Sequence, residues 1–257
     1  MKFGNHNHAK IADTAAGATP SGNLNWNVFM TPGIPVVTKD LPPGIKEAYF
    51  QGMASTLIHG ERDGVLVDAF MTVKQANALA DWIAASGKNL TTIYLTHGHG
   101  DHWFGVGTLL ERFPNARAVA TANTVKLMRQ HASPEFKNIW EAAFPGQIPD
   151  RLVIAEELKG NVIDLEGHQL VAVELGHTDT DYTTCLHVPS IGLVVAGDAA
   201  YWAVARWLRP AITTSSRKAR DHPSIEQASF LVLGERHRLV DAERQALLPG
   251  PAGRVLG

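Results

Sequence analysis

Thr96-His97-Gly98-His99-Gly100-Asp101-His102, THGHGDH, places three imidazoles and a carboxylate within seven residues. It follows Thr91-Thr92-Ile93-Tyr94-Leu95, a short branched and apolar run that reads as a strand. In an extended stretch residues two apart project to one side, so His97 and His99 share a face. Gly98 and Gly100 permit a tight backbone in the loop that leaves the strand. Asp101 and His102 stand at the start of the next helical run. Neutral imidazoles and a carboxylate are donors suited to zinc, and also to iron or manganese. Four such donors in the six residues 97–102 exceed what one tetrahedral site with an open position takes from one segment. The pattern therefore points to two adjacent metals, with His97 and His99 leaning to one and Asp101 and His102 to the other. The chain's twelve histidines make isolated ones unremarkable, but not this arrangement at the mouth of a strand.

Working outward, Asn27 to Met30 and Ile34 to Val37 read as early strands separated by a Pro-Gly turn. Ser55 to Gly60 and Gly64 to Asp68 read as the arms of a hairpin turning at Glu61-Arg62-Asp63, both rich in branched residues. Val73, Ala76, Leu79, Ala80 and Ile83 recur at helical spacing, and Gly87 ends that helix. Downstream, the sequence predicts a helix from Phe104 to Phe113, a short strand at Ala118-Val119-Ala120, and a helix from about Thr124 to His131 capped by Asn123. Residues 132–160 mix Trp140, Phe144, three prolines and several acids, and read as an inserted helical loop. Strands are expected near Asn161 to Ile163, Leu170 to Glu174, Tyr182 to Val188 and Ile191 to Ala196. Several arrive without a crossover helix, so two sheets with helices outside fit better than one doubly wound sheet. The expected organisation is a polar tail over 1–25 and a single domain over 26–257.

Two further donors end later strands. His177 follows Val173-Glu174-Leu175-Gly176, and Asp198 closes the strongest strand run. A carboxylate at Asp198 has two oxygens, enough for a pair of cations at the roughly 3.5–4 Å of two-metal sites. Asp179 is a candidate to orient a ligand imidazole.

His97-x-His99-x-Asp101-His102, then Gly176-His177-Thr178, then Gly197-Asp198, resembles the metallo-β-lactamase-fold hydrolases, and within them the glyoxalase II-like and lactonase-like branch. The resemblance spans about residues 55 to 200. It implies an α+β fold, an αββα four-layer sandwich with a dinuclear site in the cleft along one edge of the sheets. It implies His97, His99 and His177 on the first metal. Asp101, His102 and one more histidine would hold the second, with Asp198 bridging. An aspartate at 198, where class B β-lactamases carry a cysteine, points away from that type. The final histidine departs from the family pattern: after the run Ser229 to Gly234 comes Glu235, and the histidine arrives at His237. His222 and Glu235 are the competing candidates. After Trp207 the composition turns to low-order sequence, which bears on the second metal.

The function implied is hydrolysis by a metal-activated hydroxide of a small or medium ester-like substrate: a lactone, a β-lactam or a thioester. Two Zn2+ are expected, with iron or manganese as alternatives. Asp101 has a second possible duty in carrying a proton to the leaving group. Tyr201, with Trp202 and Trp207, is placed to wall a pocket or to donate to a developing oxyanion. An iron-dependent oxidoreductase of the same fold and a non-catalytic metal-binding protein are the other readings.

Composition narrows the partners. With 23 basic and 25 acidic residues the formal charge is -2, and no basic run is longer than Arg217-Lys218-Ala219-Arg220, so no nucleic-acid partner is expected. Cys185, the single cysteine, excludes an intrachain disulfide and a Cys-rich metal site. The first 25 residues have no signal-like apolar core, and no run is long enough to span a bilayer. A cytoplasmic protein acting on a small molecule, away from membranes, is the expectation.

Overall fold

The computed structural model of the chain describes residues 22–39, 41, 44, 46–199, 230–233 and 235–236. In chain order come β1 (Asn25–Met30), β2 (Ile34–Val36), β3 (Ala48–Phe50), β4 (Gly52–His59), β5 (Asp63–Val67) and α1 (Val73–Ala85). Then follow β6 (Asn89–Tyr94), α2 (Gly100–Trp103), α3 (Val106–Arg112), β7 (Arg117–Ala120), α4 (Ala122–His131), α5 (Pro134–Ala143) and β8 (Glu156–Glu157). The remainder is β9 (Val162–Leu165), β10 (His168–Gly176), β11 (Thr183–Val188), β12 (Leu193–Gly197), β13 (Phe230–Leu233) and β14 (Glu235–Arg236).

The strands form two main sheets. One runs β1-β4-β5-β6-β7-β8, with β14 paired to the Gly52–Met53 end of β4. The other runs β13-β12-β11-β10-β9, and β2 with β3 makes a separate hairpin. In the first sheet, β4 and β5 carry apolar side chains on both faces. Leu57 and Leu66 enter a cluster shared with Leu79, Ile83, Trp103 and Leu109 of the helices. Ile58, Val65 and Val67 enter a second cluster with Leu170, Leu186, Val188 and Val195 of the other sheet. This is the double-sided burial of a sheet packed between layers. Each fully buried Leu or Ile contributes about 1.5–3 kcal/mol. Val173, Cys185, Val194 and Ala196 form a third cluster on the outward face of the second sheet. The architecture is thus α+β, with helices over one sheet and that sheet over another; the fourth layer falls outside the described residues.

Local chemistry explains several boundaries. α1 begins at a capping box: the Thr72 hydroxyl accepts from the Gln75 N–H, while the Gln75 carboxamide accepts from the Thr72 N–H. α4 starts earlier than the sequence predicts. Thr121, not Asn123, is its cap and accepts from the Thr124 N–H, whereas Asn123 donates to Glu174. The helix predicted over Phe104 to Phe113 is present as α3, and a short turn of helix, α2, precedes it, the two separated at Phe104 and Gly105. The Gly105 N–H donates to Phe70 O, and a Cβ there would stand 2.2 Å from Ala69 O. Residues 132–160 contain α5, β8 and irregular chain. β1 begins at Asn25 and the preceding Leu24 is buried between the sheets, so residues within the span read as tail belong to the fold.

Parallel pairing of β5, β6 and β7 brings the loops that follow them to one edge. Those loops begin at Asp68, Leu95 and Thr121. The two sheets are joined at that edge: the Thr184 N–H and hydroxyl of β11 both donate to Thr96 O. The Tyr94 hydroxyl completes the link on Thr184 Oγ1.

Candidate metal centre

His97, Asp101, His102 and Asp198 are all buried, and His99 stands at the rim. His97 and His102 have ring centroids 4.1 Å apart, and His97 and His99 5.0 Å. One ligand atom each from His97, His102 and Asp198 fall within 4.8 Å of one another, and so do one each from His97, His99 and Asp179. Asp101 Oδ2 lies 3.6 Å from His102 Nε2. The helical turn α2 carries Asp101 and His102 together, and the loop before it carries His97 and His99. Asp198 reaches them from the other sheet.

The glycines in this loop serve close approach. A Cβ on Gly98 would stand 2.4 Å from Leu127 Cβ of α4, and one on Gly197 would stand 2.8 Å from Thr96 Oγ1. Gly197 also has φ +51, a conformation glycine takes without penalty. Only glycine at these points lets α4 pack against the loop at Gly98 and Thr96 pack against Gly197.

Sequence reading missed Asp68. It follows β5 at φ 65, a left-handed conformation tolerated by aspartate. Its carboxylate accepts from the Thr96 N–H and hydroxyl, and from His102 Nδ1 at 2.9 Å. That bond fixes the His102 proton on Nδ1 and leaves Nε2, 3.2 Å from Asp198 Oδ2, as the outward donor atom. The available signal was an acid at the end of an apolar strand, the same signal that marked Asp198.

Electrostatics divide the three imidazoles. Burial pushes His97 well below its ordinary pKa, and the neighbouring His102 and His99 push the same way. Burial also pulls on His102, but Asp198, Asp68 and Asp101 outweigh it and hold His102 well above. For His99, burial is outweighed by the hydrogen bond to Asp179 and the charge of Asp101, which raise it. Burial raises Asp198 against the opposing pull of His102. Three carboxylates around one imidazole make a pocket that calls for positive charge. His97 Nε2 is buried and has no hydrogen-bond partner among the described residues. An orphaned nitrogen there is costly unless a ligand takes it, and a cation among these donors satisfies both conditions.

His177 belongs to neither group of ligand atoms. It is exposed, with Nδ1 2.7 Å from Asp181 Oδ1. A register shift in β10 between Glu174 and Gly176, with φ +74 at Gly176, precedes it. Asp179 stands beside the rim instead, with Oδ2 2.7 Å from His99 Nδ1. Tyr201, His222 and His237 lie outside the described residues, as does the side chain of Glu235. Trp103 and Phe104 pack in the core, where Trp103 Nε1–H donates to Gly98 O and props the loop that carries His97 and His99.

A sequence profile of the metallo-beta-lactamase superfamily matches residues 52–234. No curated protein sequence matches the chain. Among solved structures, the chain is similar to the mono-zinc form of the metallo-β-lactamase FIM-1 from Pseudomonas aeruginosa. Identity is 15%, covering 80% of this chain and 88% of that one, with a TM-score of 0.52. It is also similar to a metallo-β-lactamase from Pontibacter korlensis, at 12% identity over 88% of this chain and 90% of that one, with a TM-score of 0.54. At such identities the likeness is one of fold.

Proposed function

The chain belongs to the metallo-beta-lactamase superfamily, and we propose that it is a zinc-dependent hydrolase of a small or medium ester-like substrate: a lactone, a β-lactam or a thioester. The observation that carries this reading is the buried, unbonded Nε2 of His97 amid ligand atoms drawn from both sheets. His97, His102 and Asp198 would hold one cation. His97 also belongs to the group with His99 and Asp179, and one imidazole nitrogen serves one cation. A second zinc therefore needs another donor, for which His177, Asp101 and His237 are the sequence-derived candidates. When bound, zinc supplies Lewis acidity and a water ionised near neutral pH as nucleophile.

The chain's own residues do the rest. Asp68 keeps a proton on His102 Nδ1, so Nε2 is the nitrogen that would bind a cation in exchange for its own proton. Asp179 holds His99 at the rim. Asp101, buried beside His102, is the group proposed to pass a proton to the leaving atom. Tyr201, three positions after Asp198, is proposed to donate to the carbonyl oxygen as it gains charge. The near-neutral composition favours a small substrate over RNA.

The test is a hydrolysis screen of zinc-loaded protein against lactones, β-lactams and thioesters, run beside Asp198→Ala. Turnover of one class is expected, with loss of activity and of bound zinc in the variant. Zinc-replete protein that turns over none of the three, or an unchanged rate in Asp198→Ala, refutes the reading.

A further inference from the structure

α4 ends at His131 and α5 begins three residues later at Pro134. This corner stands against the ligand set. The His131 ring lies 5.4 Å from that of His99 and is stacked on Phe136, with centroids 4.7 Å apart and planes within 10°. Its Nδ1 is buried and has no hydrogen-bond partner among the described residues. An orphaned N–H is less tolerable than an orphaned acceptor, so the ring proton belongs on Nε2 and makes His131 a donor. Beyond the stack, Phe136 keeps 40% and Ile139 61% of its surface exposed. Three apart on one helix, they are neighbours. Trp140 anchors the same helix against Phe50 and Phe104. α5 is therefore held by one row of side chains while it offers an apolar second row to solvent. Single exposed apolar residues are ordinary. This pair is contiguous with an aromatic stack that reaches His99 of the candidate site.

We propose that His131, Phe136 and Ile139 form the specificity wall of the site and select substrates with a medium-length unbranched acyl chain. The chain lies along Phe136 and Ile139, and His131 Nε2–H donates to the acyl oxygen. The occupant is a substrate's hydrocarbon tail rather than a second protein, because the apolar row continues inward through His131 to His99. The inference rests on the ester-hydrolase reading and narrows its substrate class.

Calorimetric titration of zinc-loaded protein with octanoate and with acetate, the carboxylates released from long and short acyl esters, tests the wall without using turnover. Wild type should bind octanoate at least tenfold more tightly than acetate, since each buried methylene adds on the order of threefold. The double variant Phe136→Ala/Ile139→Ala should lose about tenfold in octanoate affinity and keep its acetate affinity. His131→Phe preserves the stack but removes the donor, and should weaken both carboxylates alike. Equal affinity for octanoate and acetate in wild type, or unchanged octanoate binding in the double variant, overturns the proposal. So does a double variant that only converts a dimer to a monomer in sedimentation, which assigns the row to a second copy of the chain. Octanoate binding that depends on Phe136 in a protein that hydrolyses no ester class upholds the wall and sinks the hydrolase reading instead.

Discussion

Asp68 makes no contact that a metal would require, yet it sets the chemistry of the residue that does. An asparagine at 68 keeps one acceptor and presents an NH2 where a second acceptor stood, so either the Thr96 donors or His102 Nδ1 goes unmet. Orienting partners of this kind are worth 10- to 100-fold in metal affinity. Asp68→Asn should lose about that much zinc affinity in competition with a chromophoric chelator, with its circular dichroism unchanged. A carboxylate at the opposite end of the sandwich holds structure rather than chemistry. Glu166 accepts the backbone N–H groups of Glu61, Arg62 and Asp63, tying the β4–β5 hairpin to the β9–β10 turn. Those three bonds pull its pKa from 4.5 down to about 2. A depressed folded-state pKa means that the contribution is complete above pH 4.5 and fades as pH falls toward 2. Glu166→Gln has no such charge to lose. The gap in urea midpoint between wild type and the variant should be widest at pH 6 and should close between pH 4.5 and 2.

Elements were legible in proportion to how much of their shape is local. The period of Ala76, Leu79, Ala80 and Ile83 marked α1, and the branched runs flanking Glu61 to Asp63 marked the β4–β5 hairpin, because burial on a fixed face imposes a pattern. The cap of α1, Thr72-x-x-Gln75, was not among the sequence readings and came from the structure. Thr72→Ala removes it and should cost about 1 kcal/mol, a fall of roughly 2–4 °C in a thermal melt of a domain this size. β3 and β8 escaped because three- and two-residue strands carry no period. The break between α2 and α3 escaped because its cause is tertiary: Gly105 sits where the backbone of Ala69 and Phe70 presses in. The candidate ligand motif at 97–102 was legible from its composition, since four possible donors fall within six residues. Which acids support it was not. Asp68 and Asp179 come to His102 and His99 from 34 and 80 positions away in the chain, and only the folded sheets bring them there.

At the scale of the molecule, no helix among the described residues is long and apolar enough to cross a membrane, and the described apolar clusters lie beneath the helices, between the sheets and on the outer face of the second sheet. A cation that binds only the folded chain stabilises it by mass action, about 2.7 kcal/mol at a hundredfold excess over Kd. Zinc-loaded protein should therefore melt several degrees above chelator-treated protein, and Asp198→Ala should show a smaller interval. The same edge that gathers the candidate ligands is the seam where Thr184 is fastened to Thr96. An ion gripped by His97 on one side and Asp198 on the other would act as a rivet through that seam. Pulling the halves of the sandwich apart would then mean breaking coordination bonds first, so resistance to mechanical unfolding should rise and fall with zinc occupancy.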